Sequence, residues 1–285
     1  MSEGSASTGS ASTGSAEQEI LHRVEERVSW ITLNRPEVSN AMTPAQRELV
    51  IALLEEASAS LAIGAVVITA TGKGFCTGAD LRPGSRVPAP RPEGAPERAM
   101  WDVTRMIRSG AQRLIEAVLD CEKPVVAGVN GTAAGLGAHL AFACDLVVAA
   151  DQARFIEVFV RRGIAPDAGG AYLLPRLVGL QAAKEMVFFG DDISAERAGR
   201  LGLVNRVVPA HELPSTLAEI AGRLASGPTK ALGAAKWLLN RSLDSDRRTA
   251  FEEEAMVQEL VTSTADMREG MAAFAERRSA DFRGW

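Results

Sequence analysis

The chain has 285 residues, 46% of them apolar and 24% charged, and carries a net charge of -5. That is enough apolar chain for a large core, in one domain or in a domain with an appendage, and the balance excludes a fibrous or wholly disordered protein. The 31 Lys and Arg residues are scattered rather than gathered into a stripe. This argues against a nucleic-acid partner and leaves room for a small anionic ligand, which needs only a few local cations.

Residues 1–16 are Ser, Ala, Thr and Gly almost throughout. Nothing there offsets the entropy of ordering, so residues 1–18 are expected to form a disordered tail, and they lack the apolar core of a signal peptide. Residues 28–33 read as a strand that ends in the turn Asn34-Arg35-Pro36. Thr43 is placed as the N-cap of a helix with Pro44 at its first position. A short β-branched strand over 64–70 leads into a Gly-rich loop over 71–80. Residues 82–98 hold five prolines and read as a mobile surface segment. A long helix follows over about 100–121, and 125–129 is a buried strand.

Residues 133–150 form the most apolar stretch, but His139 and Asp145 lie within it. It reads as a buried helix to about Cys144 and a strand over 145–149, not as a membrane span. Strand–loop–helix alternation predicts parallel strands with helices packed outside. After Gly169 helices dominate, at about 180–189, 194–201, 213–226, 229–242, 247–262 and 264–278. The expected organisation is an α/β core over 19–210 and a helical region over 211–285, with Phe188, Phe189 and Trp237 in the core.

Cys76, Cys121 and Cys144 are odd in number and widely spaced, and the histidines are only His22, His139 and His211. A disulfide framework and a metal site are therefore not expected, and a reducing cytoplasm fits. Cys76 and Cys144 read as small buried hydrophobes.

Two Gly-rich segments follow buried strands. In Gly74-Phe75-Cys76-Thr77-Gly78-Ala79-Asp80, small residues let a ligand approach the backbone, although a tight turn needs glycine equally. In Asn130-Gly131-Thr132-Ala133-Ala134-Gly135-Leu136-Gly137-Ala138-His139, the start of a helix presents unpaired N–H groups and the positive end of a dipole, which suit an anion. A dinucleotide loop has similar glycine spacing, but it would normally open its domain, and it would need a Tyr with a Lys four residues later for short-chain dehydrogenase chemistry. The single tyrosine is Tyr172, and four residues on stands Arg176.

Taken in order, Leu33-Asn34-Arg35-Pro36, Asn40-Ala41, Gly74 to Leu81, Lys123-Pro124-Val125, Asn130-Gly131, Cys144-Asp145 and Gly163-Ile164-Ala165-Pro166-Asp167-Ala168-Gly169-Gly170 resemble the enoyl-CoA hydratase/isomerase (crotonase) family. The resemblance covers about residues 20–280. It implies an α/β spiral of ββα units whose C-terminal helical region builds trimers, often paired into hexamers. It also implies an acyl-CoA thioester substrate, with coenzyme A entering as part of the substrate and no tightly bound cofactor. By motif position the oxyanion donors are the backbone amides of Ala79 and Leu136. Asp80 and Leu81 border the coenzyme A path, and Arg35 and Lys73 are candidate phosphate contacts, each equally readable as a solvated loop cation. Leu136 stands where many relatives carry Gly, which narrows the space beside the thioester without removing the amide.

Hydratases of this family use two glutamates. Their positions hold His139 and Phe159 here, with Glu157 two residues away from the second. The resemblance therefore implies isomerase chemistry through Asp167, which follows Pro166 as the acidic residue of ring-opening epoxyphenylacetyl-CoA isomerases does. One carboxylate can remove a proton at one carbon of an enoyl thioester and return it at another. Capping a helix that starts near Ala168 is the competing role for Asp167. His139 is either a core histidine or a pocket group that positions substrate or water. Hydration of the enoyl-CoA, with His139 and Asp167 as a variant pair, stays open beside isomerisation, and thioester hydrolysis and a non-catalytic acyl-CoA-binding role remain as alternatives. A Clp-type serine protease is set aside, because neither Gly-rich segment carries a serine.

Overall fold

The computed structural model describes residues 18–85 and 90–285. The expected tail lies outside this range but for its last residue, and so does part of the Pro-rich segment. One sheet has the order β1 (Ile20–Glu25), β2 (Val28–Leu33), β3 (Ala65–Ala70), β5 (Val125–Val129), β7 (Leu146–Ala150) and β10 (Arg206–Val208). β1 and β2 are antiparallel and the other pairs are parallel. β5 is buried along its whole length and β3 over its first four residues. That is why they read as continuous apolar runs instead of alternating ones.

A second sheet runs β4 (Gly74–Cys76), β6 (Thr132–Ala134), β8 (Arg154–Ile156) and β9 (Asp192–Ser194). Each of its strands has only three residues. β3, β5 and β7 each run a few residues on into β4, β6 and β8, so the chain winds between the two sheets as a spiral.

Helix α1 (Pro44–Ala59) begins as expected, and its Thr43 and Gln46 form a reciprocal capping box. The expected helix over 100–121 is α2 (Asp102–Met106), a π-helical stretch over Ile107–Gln112, and α3 (Arg113–Leu119). α4 (Leu136–Ala143) is buried at every residue and sits inside the main core. Next come α5 (Gly170–Val178), α6 (Leu180–Phe189), α7 (Ala195–Arg200), α8 (Leu213–Ala225), α9 (Thr229–Ser242), α10 (Arg247–Thr262) and α11 (Ala265–Glu276).

Leu213, Leu217, Ala221 and Ala225 of α8 pack with Val28, Val67, Val126 and Val148. A boundary at residue 210 therefore separates α8 from the sheet it covers. Phe188 and Phe189 are each 66% exposed and Trp237 is 47% exposed, which corrects their expected place in the core. Aromatic content marks burial only when a partner surface exists, and in one copy of the chain Phe188 and Phe189 stay two-thirds exposed while Trp237 is half covered, with Arg241 over its ring.

Candidate functional site

The two Gly-rich segments are held against each other by the second sheet. β4 pairs with β6 in parallel, so the chain leaves neighbouring strands toward Ala79 on one side and Leu136 on the other. The packing is backbone against backbone: a Cβ on Gly137 would stand 2.0 Å from the carbonyl oxygen of Cys76. Gly78 has φ +103°, and a Cβ there would sit 3.7 Å from the amide nitrogen of Leu136. The residue beside Ala79 thus lies on the Leu136 amide.

The Met42 N–H donates to the Gly78 carbonyl at 2.8 Å, and the Asp80 N–H donates to the Met42 carbonyl at 2.9 Å. Successive N–H groups of extended chain point to opposite sides, so the Ala79 N–H faces away from Met42. Leu136 is the first residue of α4, where an N–H has no intrahelical acceptor. Among the described residues neither amide donates to a protein oxygen. Two such amides on adjoining loops can donate to one oxygen, and one of them adds the positive end of a helix dipole.

Asp80 is buried and accepts hydrogen bonds from Arg82 at 2.6 and 3.0 Å and from Arg35 at 3.1 Å. The Arg82 hydrogen bonds foremost, with help from Arg35, hold its carboxyl below the usual carboxylate range. Arg35 is itself buried, donates to the Ala41 carbonyl at 2.9 Å and pairs with Glu19 at 3.3 Å. This corrects both sequence readings of Arg35: its guanidinium is neither solvated nor presented to a phosphate, because it ties three segments together beneath the first loop. Lys73 and Leu81 are exposed, the latter by 61%.

Folding lowers the Asp80 pKa. Its stabilisation is therefore complete above the ordinary carboxylate value of about 4 and declines as the pH falls below it. Melting temperatures of the wild type and Asp80→Asn are expected to differ at neutral pH, with the gap narrowing progressively as the pH falls below about 4. A gap that stays constant across that range would remove Asp80 from this role.

His139 has no exposed surface, and one turn of α4 separates it from Leu136. Its Nε2 lies 3.1 and 3.0 Å from the two carboxylate oxygens of Glu157, which is 1% exposed. Phe159 stacks on the imidazole with centroids 5.2 Å apart. The ring also meets Gly170, where a Cβ would come within 2.1 Å of Cε1 and Nε2. Sequence reasoning placed His139 and Glu157 separately and missed their union. The available signal was a glutamate beside apolar β8 with no exposed partner to account for it.

The Gly170 N–H donates to the Asp167 carbonyl at 3.1 Å across Ala168 and Gly169, whose φ values are +48° and +77°. This is a type I′ turn. It keeps the half-buried Asp167 out of the helix, because α5 begins at Gly170 behind Gly169 with no side-chain cap. The N-cap position of α5 is Gly169, so Asp167 does not occupy the N-cap place weighed for it. Gly169 faces Ile115 of α3 and Gly170 faces His139, so the turn lies over the ring that rises from the Leu136 helix.

Cys76 and Cys144 are free and buried, and burial pushes the Cys76 thiol up to about 11 and the Cys144 thiol upward as well. Neither supplies a ready thiolate. Among the described residues no group of His, Cys, Asp and Glu side chains is arranged to hold a metal, and no helix is long and apolar enough to cross a membrane.

Residues 23–284 match the family model described as enoyl-CoA hydratase/isomerase. The chain is 36% identical to the 1,2-epoxyphenylacetyl-CoA isomerase of Escherichia coli over 265 residues, covering 93% of this chain and 98% of that protein. It is also 36% identical to the crotonyl-CoA hydratase of Syntrophomonas wolfei over 273 residues, covering 94% and 98%. The crystal structure of an enoyl-CoA hydratase from Bacillus anthracis superposes with a TM-score of 0.84 at 33% identity, covering 94% of this chain and 100% of that one. The spiral of paired strands, the helical C-terminal region and these matches together make the chain a member of the enoyl-CoA hydratase/isomerase family.

Proposed function

We propose that this enzyme acts on an enoyl-CoA thioester by stabilising the enolate that forms when a proton leaves the acyl chain or a nucleophile adds to it. The observation that carries the reading is the juxtaposition of two unengaged amides, Ala79 and Leu136, on loops locked together by β4 and β6. Charge develops on the thioester oxygen during either step, and fixed amides stabilise it without reorganising. Asp167, outside the helix and on the turn over α4, serves as the acid/base that moves a proton between Cα and Cγ. Coenzyme A arrives with the substrate and leaves with the product, with exposed Lys73 and Leu81 beside its path, and no resident cofactor takes part.

Incubating a panel of enoyl-CoAs with the enzyme in deuterated water tests this. Deuterium is expected at Cα and Cγ even where no net product accumulates. Binding without any exchange would leave only an acyl-CoA-binding protein.

The C-terminal helices carry an apolar surface that one copy leaves bare: Leu239, Leu243, Phe251, Met256, Leu260 and Phe274 are each more than half exposed. Phe188 and Phe189 on α6 are likewise exposed. So much open apolar area marks an interface in a cytoplasmic protein, and we assign it to a homotrimer or a pair of trimers. Sedimentation velocity at micromolar concentration is expected to give three or six times the 30.2 kDa chain mass. A monomer would refute the assignment.

A further inference from the structure

The acid/base role of Asp167 leaves a buried pair of titratable groups unused. His139 and Glu157 meet in the interior at 3.0–3.1 Å, with 0% and 1% of their side chains exposed. Both carboxylate oxygens are nearly equidistant from Nε2, the geometry of a ring N–H held between two acceptors. With the proton on Nε2, the other ring nitrogen of a neutral imidazole is a lone-pair acceptor. That nitrogen, Nδ1, is buried and has no hydrogen-bond partner in the protein. Buried polar atoms are nearly always satisfied, so an orphan in an otherwise completed constellation marks the place of a ligand or a water.

The ring cannot easily turn away from this task. Phe159 stacks on the ring at 16° to the imidazole plane, and Gly170 packs so close that a Cβ there would stand 2.1 Å from Cε1 and Nε2. Helical side chains lean toward the N-terminus of their helix, and His139 is three residues beyond Leu136. The imidazole therefore leans toward the amide that, in the reading above, holds the thioester oxygen.

We propose that Glu157 and His139 form a general-base dyad that activates water for addition across the enoyl double bond, so that this chain hydrates enoyl-CoA without the two glutamates of family hydratases. The inference rests on the assignment of the Ala79 and Leu136 amides to the thioester oxygen. His139 Nδ1 takes a proton from water as the water oxygen bonds to C3. The C2=C3 π pair moves toward C1, and the resulting enolate oxygen is held by the two amides. The imidazolium then returns its proton to C2, giving a 3-hydroxyacyl-CoA and the neutral dyad. One water is consumed and nothing is oxidised or reduced. His139 is the catalytic residue of this step. Glu157 is a positioning residue that fixes the tautomer and stabilises the imidazolium, as carboxylates paired with a catalytic histidine do.

The test compares hydration with Cγ deuterium exchange on the same short-chain 2-enoyl-CoA, in wild type, His139→Gln and Glu157→Gln. His139→Gln keeps an amide able to reach Glu157 but removes the Nδ1 acceptor. The ratio of hydration to exchange is expected to fall at least ~100-fold in His139→Gln and at least ~10-fold in Glu157→Gln, through kcat with KM little changed. Exchange in the same samples reports that each variant is folded and binds substrate. Nitrogen-15 spectra of histidine-labelled enzyme are expected to show His139 as the Nε2–H tautomer in the wild type and as a mixture in Glu157→Gln, a change that a packing role for Glu157 would not produce. Wild-type enzyme that exchanges Cγ but hydrates no enoyl-CoA would overturn the dyad and leave the proposed function standing, as would an unchanged ratio in both variants. Absence of both hydration and exchange in the wild type would overturn the function itself, and the dyad with it.

Discussion

Asp167→Asn is expected to lose about 10²- to 10⁴-fold in Cα/Cγ proton exchange, the range over which positioned general acids and bases act. The amide is nearly isosteric with the carboxylate but cannot accept the proton. The type I′ turn that positions residue 167 is made by backbone groups, through the Gly170 N–H and the Asp167 carbonyl. The melting temperature of the variant, measured beside the wild type, reports whether the fold survives the substitution. Binding of a saturated acyl-CoA, measured by calorimetry, is expected to be retained. Undiminished exchange would end the assignment of Asp167, and the same assay run beside hydration separates its contribution from that of the His139–Glu157 pair.

The second large effect is expected from Leu136→Pro. Position 136 is the first residue of α4, where proline is well tolerated because that N–H has no helical acceptor. The substitution thus deletes one backbone donor while leaving the helix able to form. Loss of a single oxyanion donor costs about 3 kcal/mol of barrier, so kcat for both exchange and hydration is expected to fall on the order of 10²- to 10³-fold. A side-chain change at the same position, Leu136→Gly, is expected to act mainly on which acyl groups are accepted. If the proline variant keeps wild-type kcat, the amide at 136 does not hold the developing charge.

The middle of the first sheet was legible because β3 and β5 are largely buried on both faces and read as near-continuous apolar runs. The helices were legible through their boundaries: Thr43-Pro44, Ser194, Asp246 and Thr264 all cap as side chains of these types do. The second sheet was not, because three residues are too few for any periodicity, and β4 and β6 lie in segments whose glycines read as loop. Motif order singled out Ala79, Leu136 and Asp167 as candidates. It did not foresee that Arg35 turns inward to Asp80, or that His139 and Glu157, 18 residues apart, meet in the interior. Contacts of that kind depend on how β8 lies against α4, which no local pattern encodes. The exposed Phe188, Phe189 and Trp237 misled because hydrophobicity states that a side chain leaves water without stating against which molecule.

The amides at residues 79 and 136, proposed here as the oxyanion donors, are fixed by a parallel ladder of minimal strands and by glycines that let one main chain rest on another. Selection acting on side chains cannot easily displace them, since none of the atoms that set their spacing belongs to a replaceable group. Residues 139, 157, 159 and 167, by contrast, enter the site through their side chains and contribute no atom to that ladder. A fold built in this way can change which bond it makes or breaks through a few substitutions while conserving the intermediate it stabilises.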